Sequence, residues 1–367
     1  MSALRLAVVG NPENRRVTLF AGAAAALGLP APRIVPWLDA VRGTARFEPG
    51  EIVRIDSPGE NAEVATLLRG SADPVDMYRV EGTAAWYAGF TAALNVLHEQ
   101  IRAAGARPLA DPAETAIVFD KAQTHAWLGK HGVAVPPALP GVQDYDSLVA
   151  ALAAPWSGDV FVKIRHGSSA SGVVALVVRR GRPVEAITSA EIERDAPGGP
   201  VRLYNSLQVR RYRREADIRT LVDTLAADGL HAEAWVDKHR DSQGRHCDVR
   251  VVTVAGRATH AVVRTSGQPM TNLHLGGRRG DLAEFQAEIG RDRWAAVLGL
   301  AEQAAACFPG THCLGVDILP TVSAGEFVGE VNAYGDLLPN LPGLPGTPGD
   351  GVDTCTAQLR TLIEACG

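Results

Sequence analysis

The chain lacks an even number of cysteines, an excess of basic charge and a hydrophobic run long enough to cross a bilayer. Its five cysteines are odd in number and none lies in a CxxC motif, which argues against a disulfide framework or a zinc site and favours a reducing, cytoplasmic location. The net charge of −5 provides no basic field for nucleic acid or a membrane surface. We therefore expect neither as a partner, and a homodimer stays open.

Two common phosphate-binding motifs are also missing. The Walker sequence GxxxxGK[ST] does not occur, and the turn at Gly10, after the first predicted strand, lacks GxGxxG. Lysine is scarce as well, because only four of the 36 basic residues are lysine: Lys121, Lys130, Lys163 and Lys238. In such an arginine-rich chain a lysine is of interest, since its compact and mobile charge suits phosphate oxygens.

The first third of the chain alternates between strand and helix patterns. Strands are predicted at residues 4–10, 33–36 and 51–56, with a helix at 17–27. This alternation is typical of a small α/β domain, and we place its end near residue 112. Further along, residues 181–200 are rich in proline, glycine and acid and are predicted to be surface connections, and residues 281–307 are predicted to be one helical region.

Three side chains with oxygen ligands fall on one predicted hairpin near the end of the chain. Its turn is centred near residue 323.5, which places Asp317 opposite Glu330. Side chains alternate along a strand, so Asn332 shares the face of Glu330. Carboxylate and amide oxygens suit Mg²⁺, and their spacing suits a two-metal clamp. The apolar residues around them predict a buried hairpin, where unpaired carboxylates are costly, so a metal site is favoured over an acidic edge in solvent.

A second signal is a lysine that leads into a loop of small residues. Lys163 lies at the end of a predicted strand, residues 167–172 read Gly-Ser-Ser-Ala-Ser-Gly, and a second strand follows. Backbone N–H groups and hydroxyls of such a loop can approach a phosphate closely. An ordinary hairpin loop is the alternative.

Two weaker signals lie between the loop and the hairpin. The extended segment Glu233-Ala-Trp-Val, followed by Lys238, has a backbone suited to the edge of adenine, although taken alone it is better explained by a core strand. Arg250 and Arg264 lie on two predicted strands joined at Gly256 and could neutralise a phosphate and a carboxylate in one cavity. Two solvated surface arginines are the alternative.

These four signals occur in an order that resembles the ATP-grasp superfamily, in particular the branch that contains the ribosomal-protein glutamate ligase and D-alanine–D-alanine ligase. The resemblance covers about residues 116–340, from Phe119-Asp120-Lys121 through Gly132-Val-Ala-Val-Pro136 to Glu330-Val-Asn332. The whole chain is more similar to a bacterial subgroup of ATP-grasp proteins than to a ligase of known substrate. The resemblance implies an α+β fold of two lobes that clasp ATP, residues 113–233 and 234–367, preceded by a small α/β domain of residues 1–112.

The resemblance also implies roles for single residues. ATP contacts are expected at Lys121, Lys163, Gly167, Ser168, Ser169, Gly172, Glu233, Ala234, Trp235, Val236 and Lys238. Magnesium ligands are expected at Asp317, Glu330 and Asn332, with Glu330 bridging. The first two lysines would hold the α- and β-phosphates, the glycine loop would cover the β- and γ-phosphates, and the segment from 233 to 236 would contact adenine. Arg250 would stabilise the transferring phosphoryl group, and Arg264 would orient the acceptor carboxylate.

The resulting functional hypothesis is ATP-dependent ligation of a carboxylate to an amine through an acyl phosphate. ATP and two magnesium ions, or manganese in their place, are the expected cofactors, and small-molecule or peptide carboxylates and amines are the expected substrates. Two alternatives stay open: phosphorylation of a hydroxyl, and ATP binding without turnover. The chain departs from the ribosomal-ligase pattern at Met270-Thr271, where an arginine is expected, and at Ala333-Tyr-Gly-Asp336. Both departures fall on the substrate side.

Overall fold

The protein is described by a computed structural model that covers residues 4–153, 155–167, 170–194, 199–322, 325–336, 338–339 and 341–366. Two residues of the predicted phosphate loop, Ser168 and Ser169, lie outside the described residues. Within the described part, no helix combines the length and the apolarity needed to cross a membrane.

The first unit is a parallel sheet of four strands in the order β2-β1-β3-β4. The strands are β1 (Leu6–Gly10), β2 (Arg33–Pro36), β3 (Ile52–Ile55) and β4 (Arg107–Pro108). The helices are α1 (Arg15–Ala26), α2 (Trp37–Val41), α3 (Ala62–Leu68) and α4 (Thr83–Ala103). Every residue of β1 and β3 is buried, as expected for the central strands of a sheet covered by helices on both faces.

The second unit is an antiparallel sheet in the order β8-β7-β6-β5-β9. The strands are β5 (Val160–Ile164), β6 (Val173–Arg179), β7 (Arg182–Arg194), β8 (Val201–Tyr212) and β9 (Leu230–Ala234). The helices along this stretch are α5 (Pro112–Phe119), α6 (Lys121–Lys130), α7 (Tyr145–Ala151) and α8 (Glu215–Ala226). Helix α8 buries Ile218, Leu221, Val222 and Leu225, a helical spacing that forms one apolar face over the sheet.

The surface connection predicted for residues 181–200 is wrong over most of its length, because β7 is a strand of 13 residues. Its middle is buried and includes two polar side chains, Thr188 and Ser189, both at 0% exposure. Thr188 Oγ1 donates to Val173 O and Ser189 Oγ to Asn205 Oδ1. Both acceptors belong to other strands. The sequence of residues 181–200 does not show these partners, and it therefore suggests a segment that faces solvent.

The third unit is an antiparallel sheet in the order β12-β11-β10-β13-β14. The strands are β10 (His246–Val254), β11 (Arg257–Ser266), β12 (Arg278–Arg279), β13 (Cys313–Pro320) and β14 (Glu326–Asn332), and the helices are α9 (Leu282–Ile289), α10 (Arg291–Ala306) and α11 (Thr354–Cys366). The single helical region predicted at 281–307 is divided into α9 and α10 at Gly290, whose φ of 81° lies in the left-handed region that favours glycine.

The three units share their cores. Helix α11 places Cys355, Leu359 and Leu362 in a cluster with residues of β1 and α1. Val118 of α5 and Leu128 of α6 lie in the core of the third sheet. These crossings fix the three sheets around one cleft.

Candidate active site

The cleft between the sheets has a volume of about 730 Å³ and contains most of the predicted site residues. Those that line it are Lys121, Lys163, Gly167, Glu233, Ala234, Val236, Lys238, Arg250, Arg264, Asp317, Glu330 and Asn332. Two others lie behind its wall. Trp235 packs against Phe161, with ring centroids 5.4 Å apart, and Gly172 packs against Ile164.

The acidic hairpin lines the cleft, and its register depends on a β-bulge. From the turn outward the pairing is regular as far as Ile318 and Val328, and then shifts by one residue. Gly329 is the extra residue, so Asp317 pairs with Glu330 instead of the glycine. The predicted pairing of Asp317 with Glu330 is therefore confirmed, and the bulge keeps both carboxylates on the cleft face.

Two arginines hold Asp317 in place. Arg250 donates to both carboxylate oxygens, at 3.0 Å for the Nη2–Oδ2 contact, and Arg264 Nη2 lies 3.0 Å from Oδ1. Arg250 also pairs with Asp336 at 3.1 Å, and Arg264 with Asp248 at 2.7 Å. Burial alone would raise the pKa of Asp317, but the two guanidinium charges outweigh it and hold that pKa well below its usual range. The carboxylate is therefore ionised at neutral pH.

The other two oxygen-bearing side chains lie beside it. Glu330 Oε1 is 3.1 Å from Lys121 Nζ, and its side chain is 36% exposed toward the cleft. Asn332 donates its amide N–H to Gly315 O at 3.3 Å, which leaves Oδ1 as an acceptor. Two carboxylates and an amide oxygen are donors of the kind that Mg²⁺ prefers, and in this structure the oxygens of Asp317 contact Arg250 and Arg264.

A second buried ion pair joins β5 to β9. Lys163 Nζ lies 2.5 Å from Glu233 Oε1, and the glutamate side chain is 4% exposed. His231 Nε2 contacts the other oxygen at 3.0 Å. Burial would raise the pKa of Glu233, but Lys163 and His231 lower it to about 2. Since Lys163 also lines the cleft, its charge faces both the glutamate and the space that a nucleotide would fill.

His125, His231 and Glu233 form the cluster of potential metal ligands in the described part of the chain, with their ligand atoms within 4.8 Å of one another. Both oxygens of Glu233 already contact a cation or histidine, and His125 Nε2 lies 2.6 Å from Pro136 O. The cluster is thus satisfied by protein partners.

Lys238 is buried without a carboxylate within ion-pair distance among the described residues. Its Nζ lies 3.2 Å from Thr271 Oγ1. Burial lowers the pKa of Lys238 to about 8, with a smaller lowering by the charge of Arg264 and an opposing effect of Asp248. An added anion would favour its charged form.

The glycine loop is packed tightly at its two ends. A Cβ atom on Gly167 or Gly172 would lie 2.7 Å from side-chain carbons of Ile164, so both positions require glycine. Ala170 adopts a φ of 59°, an unusual value for a residue with a side chain. Lys121 Nζ donates to Gly167 O, which ties the loop to the first lysine.

The predicted adenine segment has little free backbone. The Ala234 N–H donates to Pro137 O at 2.8 Å and the Trp235 N–H to Asp159 O at 2.9 Å. Val236 lines the cleft, and its N–H has no acceptor among the described residues. Any backbone donation to a base would therefore come from Val236.

The first unit adds residues that the sequence analysis missed. Asn14 and Arg16 at the start of α1, and residues 57–60 after β3, line the cleft, and Arg16 Nη1 donates to Tyr334 O at 3.1 Å. They follow the carboxyl ends of β1 and β3, where the strand order reverses. Ligands of parallel α/β sheets bind at such a position, so the topology rule could have found them.

No protein-family model and no curated protein matches the chain. Solved structures do match. D-cycloserine synthetase DcsG has 18% identity and a TM-score of 0.57, and the ATP-grasp ligase PsnB, in a complex with a precursor variant, Mg and ADP, has 16% and 0.52; each match covers 99% of both chains. An ADP complex of N5-carboxyaminoimidazole ribonucleotide synthetase has 13% identity and a TM-score of 0.52, over 91% of this chain and 72% of that one. These likenesses confirm the fold predicted from the sequence: the chain has the ATP-grasp fold.

Proposed function

We propose that this protein is an ATP-dependent ligase that joins a carboxylate to an amine through an acyl phosphate. The observation that carries the proposal is the face on which Asp317, Glu330 and Asn332 meet, in contact with Lys121 and in the same cleft as Lys163. A cation site beside phosphate-binding lysines is the arrangement that phosphoryl transfer requires. The resemblance of the sequence to the glutamate-ligase and D-alanine–D-alanine ligase branch supports the ligase reaction over a kinase reaction.

In the proposed reaction an oxygen of the acceptor carboxylate attacks the γ-phosphorus of ATP. The bond from that phosphorus to the β–γ bridging oxygen breaks, and ADP leaves with the electron pair. The amine then attacks the carbonyl carbon, the C–N bond forms, the C–O bond breaks and inorganic phosphate leaves. The amine gives up its proton to solvent.

Several residues of this chain would contribute positive charge to the reaction. Lys121 and Lys163 would bind the phosphates, and Arg250, beside Asp317 and Asp336, would neutralise the phosphoryl group in transfer. Asp317, Glu330 and Asn332 would hold magnesium, one ion or two, which would neutralise phosphate charge when bound.

The acceptor side of the site is assigned to the first unit and the third. Arg264 would orient the acceptor carboxylate while it keeps Asp248 neutralised.

We propose the division into residues 1–112, 113–233 and 234–367, in line with the order of the three sheets, although α5, α6 and α11 pack across the boundaries.

Hydroxylamine trapping tests the proposed function. The protein, Mg-ATP and pooled organic acids, amino acids and peptides are incubated with hydroxylamine, which converts an acyl phosphate into a hydroxamate without the natural amine. We expect a hydroxamate together with ADP, and none with Glu330→Gln. An acid-stable phosphoester in place of the hydroxamate would identify a kinase, and ATP binding without ADP release across the pools would identify a binding module.

A further inference from the structure

One wall of the cleft, formed by the first unit, carries a pair of arginines. Arg69 follows α3 directly, and Arg79 lies in the connection between α3 and α4. Both line the same cleft as the lysines and the acidic hairpin. The backbone of residues 78–80 is fixed there by pairing with the edge of β8, through Val80 N to Leu203 O at 2.9 Å and Asn205 N to Tyr78 O at 2.8 Å.

These two arginines are not neutralised to the same degree as Arg250 and Arg264. Arg250 and Arg264 each contact two carboxylates. Arg69 has no carboxylate within 4.0 Å among the described residues, and its Nε donates to the neutral oxygen of Gly82 at 3.3 Å. Among the described residues Arg79 has one carboxylate partner, Glu81, whose Oε2 lies 3.4 Å from Arg79 Nε, and the arginine side chain is 44% exposed.

Asp228 is the acid whose charge acts on Arg69, but it forms no ion pair with that arginine. Asp228 accepts the backbone N–H groups of Gly82 and Ala84 at 2.8 and 2.7 Å, so both of its oxygens are used at the start of α4. Burial lowers the pKa of Arg69, the adjacent charge of Arg79 lowers it further, and the Asp228 charge opposes both. The surroundings of Arg69 therefore destabilise the charged form of its guanidinium, and an anion bound beside it in the cleft would stabilise that form.

A hydroxyl in the same wall points to a ligand independently. Thr83 follows Gly82 and lines the cleft, and its Oγ1 is buried with no hydrogen-bond partner among the described residues. Buried polar atoms without a partner are uncommon in folded proteins and call for an explanation such as a bound group. Thr83 follows Gly82, whose carbonyl oxygen accepts from Arg69, so a hydroxyl and a guanidinium lie in one wall, and together they suit a carboxylate.

We propose that Arg69, Arg79 and Thr83 form a subsite for a second carboxylate of the acid that is activated at the hairpin, so that the acceptor is a dicarboxylic acid. The proposal rests on the proposed function and names its substrate class. A single carboxylate matches Arg69, which of these two arginines is the one without a carboxylate within 4.0 Å among the described residues.

Calorimetric binding of simple acids tests the subsite without turnover. The probes are the straight-chain dicarboxylates from malonate to pimelate, each paired with the monocarboxylate of equal carbon number, in the presence of Mg²⁺ and a non-hydrolysable ATP analogue. We expect at least one dicarboxylate to bind tenfold or more tightly than its partner. Arg79→Gln and Arg69→Gln should reduce that preference to within twofold, and Thr83→Val should reduce it about fivefold. Arg42→Gln, which alters an exposed arginine outside the cleft, should leave it unchanged.

Arg79 is exposed enough for its substitution to leave the fold intact, and Arg69→Lys provides a second variant that keeps the charge if Arg69→Gln unfolds. The proposal is overturned if no dicarboxylate of the series is preferred, or if the preference persists in the Arg69 and Arg79 variants. The hydroxamate assay reports on ligase chemistry separately, so a ligase without this preference and a diacid-binding protein without ligase activity are distinguishable.

Discussion

Removal of the positive charge of Lys163 should destabilise the protein strongly, because Glu233 would remain buried as an unpaired anion. The glutamate side chain is 4% exposed, and Lys163 is its cationic partner at 2.5 Å. Breaking a buried ion pair from one side costs about 3–5 kcal/mol. The contact with His231 would recover part of this cost, so we expect Lys163→Met to lower the free energy of unfolding by about 3 kcal/mol at pH 7.

Urea unfolding followed by tryptophan fluorescence measures this difference. Lys130→Met is the matched control, because Lys130 is an exposed residue at the end of α6 and should change stability by no more than about 0.5 kcal/mol. The double variant Lys163→Met/Glu233→Gln should recover at least half of the loss, because the amide needs no counter-charge.

The pH dependence provides a sharper test of the same reasoning. In the wild type the folded-state pKa of Glu233 is about 2, below its ordinary 4.5, so its stabilisation is present above pH 4.5 and is lost as pH falls toward 2. Without Lys163 burial dominates and raises that pKa above 4.5. The variant should therefore regain stability relative to the wild type as pH falls from 7 to 5. A gap that stays constant over this range, or Lys163→Met as stable as Lys130→Met, would refute the reasoning.

Three further predictions concern the cleft. Lys163→Met should weaken ATP binding about 10- to 150-fold, the loss of one charge-assisted contact, and Lys130→Met should not; equal dissociation constants by calorimetry would count against the phosphate role. Glu330→Gln should abolish ADP release and leave the circular dichroism spectrum and apo melting temperature at or above wild-type values; turnover at the wild-type rate would rule out the metal site. The pKa of Lys238 is about 8, so above pH 8 binding of ATP must take up a proton, and affinity should fall up to about tenfold from pH 7 to pH 9. The ATP affinity of Lys238→Arg should not change over this pH range. A wild-type affinity that does not change either would show that Lys238 does not contact the nucleotide.

The acidic hairpin could be predicted from the sequence because its information is local. Strand alternation and a count across the turn were enough to pair Asp317 with Glu330. That count works because Gly329 forms a bulge that adds one residue to β14. The apolar neighbours and the glycine itself are visible in the sequence, and the bulge is not.

The parts that sequence reasoning missed depend on contacts between distant segments. Asp336 pairs with Arg250 and Asp248 with Arg264, yet nothing near these acids in sequence marks them as ion-pair partners. The sequence of β7 suggests a surface segment, because the strands that pair with it and bury its middle, β6 and β8, are not evident from that sequence. Arg69 and Arg79 reach the cleft only through the packing of the first unit against the second.

The fate of a carboxylate oxygen tests the acyl phosphate most directly. An acid that gives a hydroxamate is labelled with ¹⁸O in its carboxylate and incubated with the protein, Mg-ATP and an amine, and the inorganic phosphate is analysed by mass spectrometry. The account predicts that one ¹⁸O atom passes into inorganic phosphate for each amide formed, because the C–O bond breaks after phosphorylation. Amide formation with unlabelled phosphate, or with the label in AMP, would contradict it.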